Sequence, residues 1–150
     1  HYWLGVRMKS VNKVASREDQ TDDEDVATLK KDLDLIFSRW LRQSGADKDG
    51  ICECFICGDK GHYSIMQAGH YVKRGNSFLR YDPRNVKINC KSCNEYKGGN
   101  IIQYAFKLEE ENPGITEYLV EEGNLVYKFT RQELKDLIAE YSRKLKLLQK

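Results

Sequence analysis

Four of the five cysteines fall in two CxxC pairs, Cys54-Phe-Ile-Cys57 and Cys90-Lys-Ser-Cys93, and no other feature limits the fold so strongly. Two such turns, brought together, offer four thiolates in the closed tetrahedron of a structural zinc. A site of that kind holds a fold and leaves no open position for chemistry. The 32 residues between the pairs exceed the usual spacer of a simple zinc ribbon, so they must carry structure of their own. They contain Ala68-Gly69-His70, and Asn94 directly follows the second pair. Cys52 is the odd thiol, two residues before Cys54. It can compete as a ligand, but the CxxC spacing favours Cys54 and leaves Cys52 as a buried or bystander thiol.

With 150 residues, 40% hydrophobic and 32% charged, the chain has room for one modest soluble domain and none for a second large one. The sequence as given starts at His1, which suggests a fragment or a processed chain. It shows neither a charged-then-apolar leader nor an apolar run long enough for a membrane helix, so the expectation is a reducing, cytoplasmic setting without a membrane partner.

The net charge of +2 conceals an asymmetry. From His70 to Lys107 stand Lys73, Arg74, Arg80, Arg84, Lys87, Lys91, Lys97 and Lys107, against only Asp82 and Glu95. Tyr71, Phe78, Tyr81, Tyr96, Tyr104 and Phe106 are interleaved with them, a pattern that points to a nucleic-acid face; an ordinary solvated face is the bland alternative. Acidic residues gather at Glu18–Asp25 and Glu109–Glu122. Such runs are more often solvated than built for repulsion.

Residues 1–25 lack sustained periodicity and read as a mobile acidic tail; residues 26–150 read as a single domain. Val26, Leu29, Leu33, Ile36, Phe37, Trp40 and Leu41 recur at helical steps and predict a first helix, ended by Gly45. Asp47-Lys-Asp49-Gly50 is a turn and not a calcium loop, because Ile51 and Cys52 fall where an oxygen ligand and a glycine belong. A zinc core is expected over about 50–108, with a hairpin and loops between the pairs. A helix should open at the second pair and break near Gly98-Gly99, with Ile101, Ile102, Tyr104, Ala105 and Leu108 at helical spacing. A C-terminal helical segment covers about 113–150, and Thr130-Arg-Gln-Glu133 is a capping box. Leu134, Leu137, Ile138, Tyr141, Leu145 and Leu148 form an apolar stripe expected to pack on the first helix.

Phosphodiester hydrolysis needs an aligned water, a base for its proton, and positive charge on the phosphate and the departing oxygen. His70 suits the base, since imidazole titrates near neutrality; a surface or zinc-competing histidine is the alternative. Asn94 can present an amide oxygen to a divalent cation or act as a plain helix cap. Asn85, in an Asp-Pro-Arg-Asn loop, can pin backbone near the histidine or be an ordinary turn residue. His62 receives no role.

The order of CxxC, Gly-His, Asn and CxxC-Asn resembles HNH nucleases of the ββα-metal, or His-Me finger, group. Cys54-Phe-Ile-Cys57-Gly, Ala68-Gly-His-Tyr71, Leu79-Arg-Tyr-Asp-Pro-Arg-Asn-Val86, Cys90-Lys-Ser-Cys-Asn94 and Gly99-Asn100 with Tyr104 more closely resemble the NinG (Rap) family of phage recombination proteins. The likeness extends through Phe129–Tyr141 and covers roughly residues 26–149. It implies an α+β fold, a zinc-stapled treble-clef ββα-metal (HNH) core flanked by N-terminal and C-terminal helices. It implies a divalent-metal-dependent, structure-specific DNA endonuclease acting on branched recombination intermediates such as D-loops and Holliday junctions, in a bacterium carrying a phage or prophage.

By the same resemblance Cys54, Cys57, Cys90 and Cys93 hold structural zinc, His70 is the general base, Asn85 orients the His70 loop, and Asn94, with His70 beside it, marks the site of catalytic Mg or Mn. Lys73, Arg74, Arg80, Arg84, Lys87, Lys91 and Lys97 are the expected DNA contacts, arginine's fork suiting phosphate. Paired cuts at a four-way junction would suit a homodimer. One position departs from the wider HNH pattern: the residue before the histidine, commonly a metal-binding Asp, is Gly69. That gap favours the alternative of a non-catalytic zinc-dependent nucleic-acid-binding module. A protein-interaction adaptor on a zinc scaffold would leave His70 and the basic stretch unexplained.

Overall fold

Apolar residues at steps of three and four wind the start of the described chain into helix α1, Asp23–Ser44, on which Leu33, Phe37 and Leu41 are buried. The computed structural model describes residues 23–75 and 77–149, so the tail expected over 1–25 lies outside the described residues up to residue 22; the helix begins at Asp23. The chain divides into two compact units, residues 1–40 with 127–150, and residues 41–126.

In the first unit the C-terminal helix, Arg131–Leu148, starts at a completed capping box. The Thr130 hydroxyl accepts from the Glu133 N–H at 3.2 Å, and the Glu133 carboxylate accepts from the Thr130 N–H at 3.1 Å. Its stripe buries Leu134, Leu137 and Tyr141. The Tyr141 ring stands edge-on to Phe37 at 5.0 Å and lies 4.9 Å from Trp40, so the expected packing of last helix on first is an aromatic cluster. The stripe ends early: Leu148, expected within it, is exposed.

The second unit holds two short antiparallel pairs. Strands β1 (Ile51–Glu53) and β2 (Lys60–His62) pair Cys52 with Gly61 and enclose the first CxxC in their connection. Strands β3 (Gln67–His70) and β4 (Val86–Asn89) pair Gln67 with Asn89, Gly69 with Lys87 and His70 with Val86. The Phe55 N–H donates to the Ile88 carbonyl at 2.8 Å and ties the first cysteine turn to β4. Between β3 and β4 runs a 3₁₀ turn, Phe78–Tyr81, capped by the Ser77 hydroxyl. After β4 the second CxxC opens one π-helical turn, Ser92–Tyr96; Gly98, Gly99 and Asn100 then take positive φ, and helix α2, Ile101–Glu111, begins. Helix α3 is Ile115–Gly123, and the C-terminal helix is accordingly α4.

The Asp47 carboxylate accepts from the Asp49 and Ile51 N–H groups, each at 2.9 Å, which is the expected turn. On α2, Tyr104 and Leu108 are fully buried, whereas Ile102, expected on the apolar face, is 73% exposed. The described residues thus form a mixture of helices and small antiparallel sheets, an α+β arrangement. No described helix is long and apolar enough to cross a membrane.

Candidate functional site

The turn after β1 and the turn after β4 bring Cys54, Cys57, Cys90 and Cys93 together, all four sulfurs within 4.8 Å of one another. Four thiolates at about 2.3 Å from a zinc stand about 3.8 Å apart, and Cys57 Sγ lies 3.7 Å from Cys90 Sγ. The cluster can hold a metal such as zinc. One backbone and one side-chain donor support the sulfurs. The Cys93 N–H points at Cys90 Sγ at 3.4 Å, and the Asn100 amide at Cys93 Sγ at 3.6 Å. Burial alone would push the Cys54 thiol up, but N–H donors from Cys57, Cys90 and Ile56 more than offset it and leave Cys54 at about 7. Desolvation, reinforced by the neighbouring sulfurs, pushes Cys57 up to about 12. A cation is what allows four crowded thiols to ionise together. Cys52 is buried outside this set and directs its thiol to the Gly61 carbonyl at 3.6 Å.

His70 ends β3, half-buried. Its Nε2 lies 2.8 Å from the Arg80 carbonyl oxygen. A carbonyl only accepts, so Nε2 carries the proton of the neutral ring and Nδ1 is the basic nitrogen. Asn85, fully buried, holds the two backbone segments that meet at this contact. Its Oδ1 accepts from the Val72 N–H at 2.8 Å, and its Nδ2 donates to the carbonyls of Val72 at 2.9 Å and Leu79 at 3.2 Å. Asn85 therefore fixes the chain just beyond His70 and the residue just before Arg80, and reaches no solvent.

Asn94 donates its Nδ2 to Gln67 Oε1 at 2.7 Å, and Gln67 in turn donates to Glu95 Oε1 at 2.7 Å. This chain aims Asn94 Oδ1 at Gly69, to within 3.1 Å of where a Cβ there would stand. The Gly69 carbonyl, which heads the peptide into His70, accepts from the Tyr104 hydroxyl at 2.7 Å, and that hydroxyl accepts from the Lys87 N–H at 3.0 Å. Burial pushes the Tyr104 phenol well above its ordinary range, so it stays a donor. Sequence reasoning assigned nothing to Gln67, Glu95 or the Tyr104 hydroxyl. The only available hint was a tyrosine, and not a leucine or phenylalanine, on the buried face of α2.

The basic residues are not equivalent. Lys73, Arg74 and Lys97 are exposed. The Arg80 guanidinium lies 5.7 Å over the Tyr81 ring. Arg84 is engaged within the fold: Nε reaches both oxygens of the fully buried Asp82 at 3.1 Å, Nη2 reaches Oδ2 at 2.6 Å, and the guanidinium lies over the Tyr118 ring. Its hydrogen bonds to Asp82 raise its pKa further, and its fork has less to offer a phosphate than the sequence suggests. Lys87 pairs with Glu111 at 3.0 Å, and Lys91 lies 4.0 Å from Glu95. His62 is held by Ser64 Oγ at 2.8 Å and stacks on Tyr63.

These features define a class: an α+β protein organised by a four-cysteine cluster able to hold a metal, with an asparagine directly after its last cysteine and a half-buried histidine on the strand pair that leads into it. Within that class the chain belongs to the NinG family, since the family model described as Bacteriophage Lambda NinG protein matches residues 7–150. Protein ninG of Salmonella phage P22 is 29% identical over 123 residues, covering 73% of this chain and 57% of that protein. Protein ninG of Escherichia phage lambda is 28% identical over 123 residues, with the same shares. The chain thus spans somewhat more than half the length of these curated relatives. No solved structure matches.

Proposed function

We propose that this chain is a divalent-metal-dependent DNA endonuclease with a treble-clef HNH core, selective for branched DNA, working in a cell that carries a phage or prophage. The observation that carries the reading is the setting of His70: a half-buried imidazole whose Nε2 is fixed on the Arg80 carbonyl, so that Nδ1 is the nitrogen able to take a proton. Asn85 is a positioning residue, since it touches the backbone on both sides of that contact and no solvent. Asn94 Oδ1 offers an oxygen of the kind Mg²⁺ or Mn²⁺ prefers, and the Gln67–Glu95 chain orients it. When bound, such a cation polarises the phosphate and stabilises the departing oxygen. The residues' own tasks are to accept the water's proton at His70 and to hold the reacting geometry. Zinc at the cysteine tetrad holds the fold. The exposed Lys73, Arg74 and Lys97 are the phosphate contacts most open to solvent.

Branch preference rests on the NinG relationship together with a basic stretch that offers phosphate contacts and no recognition helix for base edges. The test is a panel of equal-length linear, forked and four-way DNA substrates at one salt concentration, with Mg²⁺, Mn²⁺ or chelator. Metal-dependent cleavage favouring the branched substrates is expected. Equal rates on all would leave a general HNH nuclease, and salt-sensitive binding without any cleavage would leave the zinc-dependent binding module.

A further inference from the structure

Gly69 has no carboxylate to offer, and the space its side chain would take is filled. A Cβ built there falls inside the contact distance of Asn89 Nδ2 and only 2.6 Å from Asn89 Cγ. The φ at Gly69 is not among the positive ones, so close approach and not backbone strain is what requires glycine. Asn89 comes from β4, where the β3–β4 register sets it opposite Gln67. It is fully buried, yet both amide atoms lack a hydrogen-bond partner among the described residues. A buried amide left unpaired costs about 1–3 kcal/mol, and such groups call for an explanation. Asn94 Oδ1 converges on the same point, 3.1 Å from it.

We propose that Asn89 is a ligand of the divalent cation, its Oδ1 joining Asn94 Oδ1 in place of the carboxylate that position 69 lacks. Half a turn of the Asn89 amide exchanges its nitrogen for its oxygen at that point and breaks no hydrogen bond, because the amide makes none. Two neutral amide oxygens then face one cation, a donor set suited to a hard ion such as Mg²⁺ or Mn²⁺. Gly69 and Asn89 are thus one device: the glycine clears the room that the asparagine occupies.

The inference rests on the nuclease reading of His70 and Asn94, and it is tested without DNA so that the two can fail separately. Mn²⁺ binding to the zinc-loaded protein is followed by calorimetry and by the Mn²⁺ paramagnetic signal. Asn89→Leu, similar in shape and apolar, should keep zinc and unfold at the same or a higher temperature, since it removes an unpaired buried amide. It should weaken Mn²⁺ by at least about tenfold, the scale that even an outer-shell partner contributes. Asn89→Asp should bind Mn²⁺ more tightly than the parent. Gly69→Asp combined with Asn89→Ala should regain what Asn89→Ala loses, while Gly69→Asp alone should misfold for lack of room. A folded Asn89→Leu protein that binds Mn²⁺ as tightly as the parent overturns the proposal. So does a double variant no better than Asn89→Ala, which decides the matter if the leucine variant does not fold. Asn89-dependent Mn²⁺ binding in a protein that cuts no DNA would leave this inference standing and remove only the nuclease reading.

Discussion

The cysteine tetrad and the His70 site lie in the same unit and draw on the same two stretches of chain, around the first CxxC to β3 and around β4 to the second CxxC. They are completed differently. At the tetrad four ligand atoms face one another and N–H groups support the sulfurs, which is a full coordination shell for a zinc. At the His70 site one ring nitrogen is fixed on backbone, one asparagine is spent on holding the loop, and a second, Asn89, is buried with its amide unpaired. A closed ligand set holds a fold; a polar cluster with unmet capacity reads as a place for something the chain does not itself supply. Asn89 closes β4 directly before Cys90, whereas His70 lies at the opposite end of the β3–β4 pair, across from Val86.

The largest effect expected from breaking this contrast is at the tetrad. Cys90→Ser or Cys93→Ser, or strong chelation, should unfold residues 41–126, because structural zinc contributes on the order of 10 kcal/mol to small metal-held folds. Circular dichroism with metal analysis reads this out, and Cys52→Ser should retain one zinc per chain. Asn85→Ala should come next, at about 3 kcal/mol by denaturant unfolding, since it strands backbone groups of Val72 and Leu79 in the interior. Cleavage should fall with it even under conditions where the variant is folded. Tyr104→Phe removes the hydroxyl that bridges the Gly69 carbonyl and the Lys87 N–H and should cost about 1 kcal/mol. The smallest effects separate the arginines. Arg74→Ala should shallow the salt dependence of DNA binding by about one phosphate, roughly 0.9 in the log–log slope. Arg84→Ala should change that slope less and destabilise by about 1–3 kcal/mol, because Asp82 is left buried without its partner.

What the sequence disclosed and what it withheld divide along the same line. The tetrad was legible because CxxC spacing is local chemistry: each pair places two sulfurs by itself, and only their meeting needs the fold. The capping box at Thr130 and the break at Gly98-Gly99 were legible for the same reason, being decided within four residues. The β1–β2 pairing around the first CxxC was not, since three-residue strands carry no readable alternation. Nor were the partners of the His70 site. Asn89 meets Gly69, and Gln67 meets Asn94, only through the register of β3 on β4 and the turn that follows it, and nothing adjacent in sequence marks them. Gly69 read as a missing ligand because the side chain that fills its place comes from twenty residues further on.

The central claim, that the site beside the zinc cluster is chemical while the cluster is structural, is tested most directly by His70→Ala. Zinc content, unfolding temperature and DNA affinity are measured alongside cleavage of a four-way junction in Mg²⁺ or Mn²⁺. The account predicts that zinc content and DNA affinity stay at parental values and the protein stays folded, at a cost of about 1 kcal/mol for the lost hydrogen bond to the Arg80 carbonyl, while the cleavage rate falls roughly a hundred- to ten-thousand-fold, the scale of a lost general base. Undiminished cleavage by a contaminant-free His70→Ala protein, or no cleavage by the parent, would contradict it.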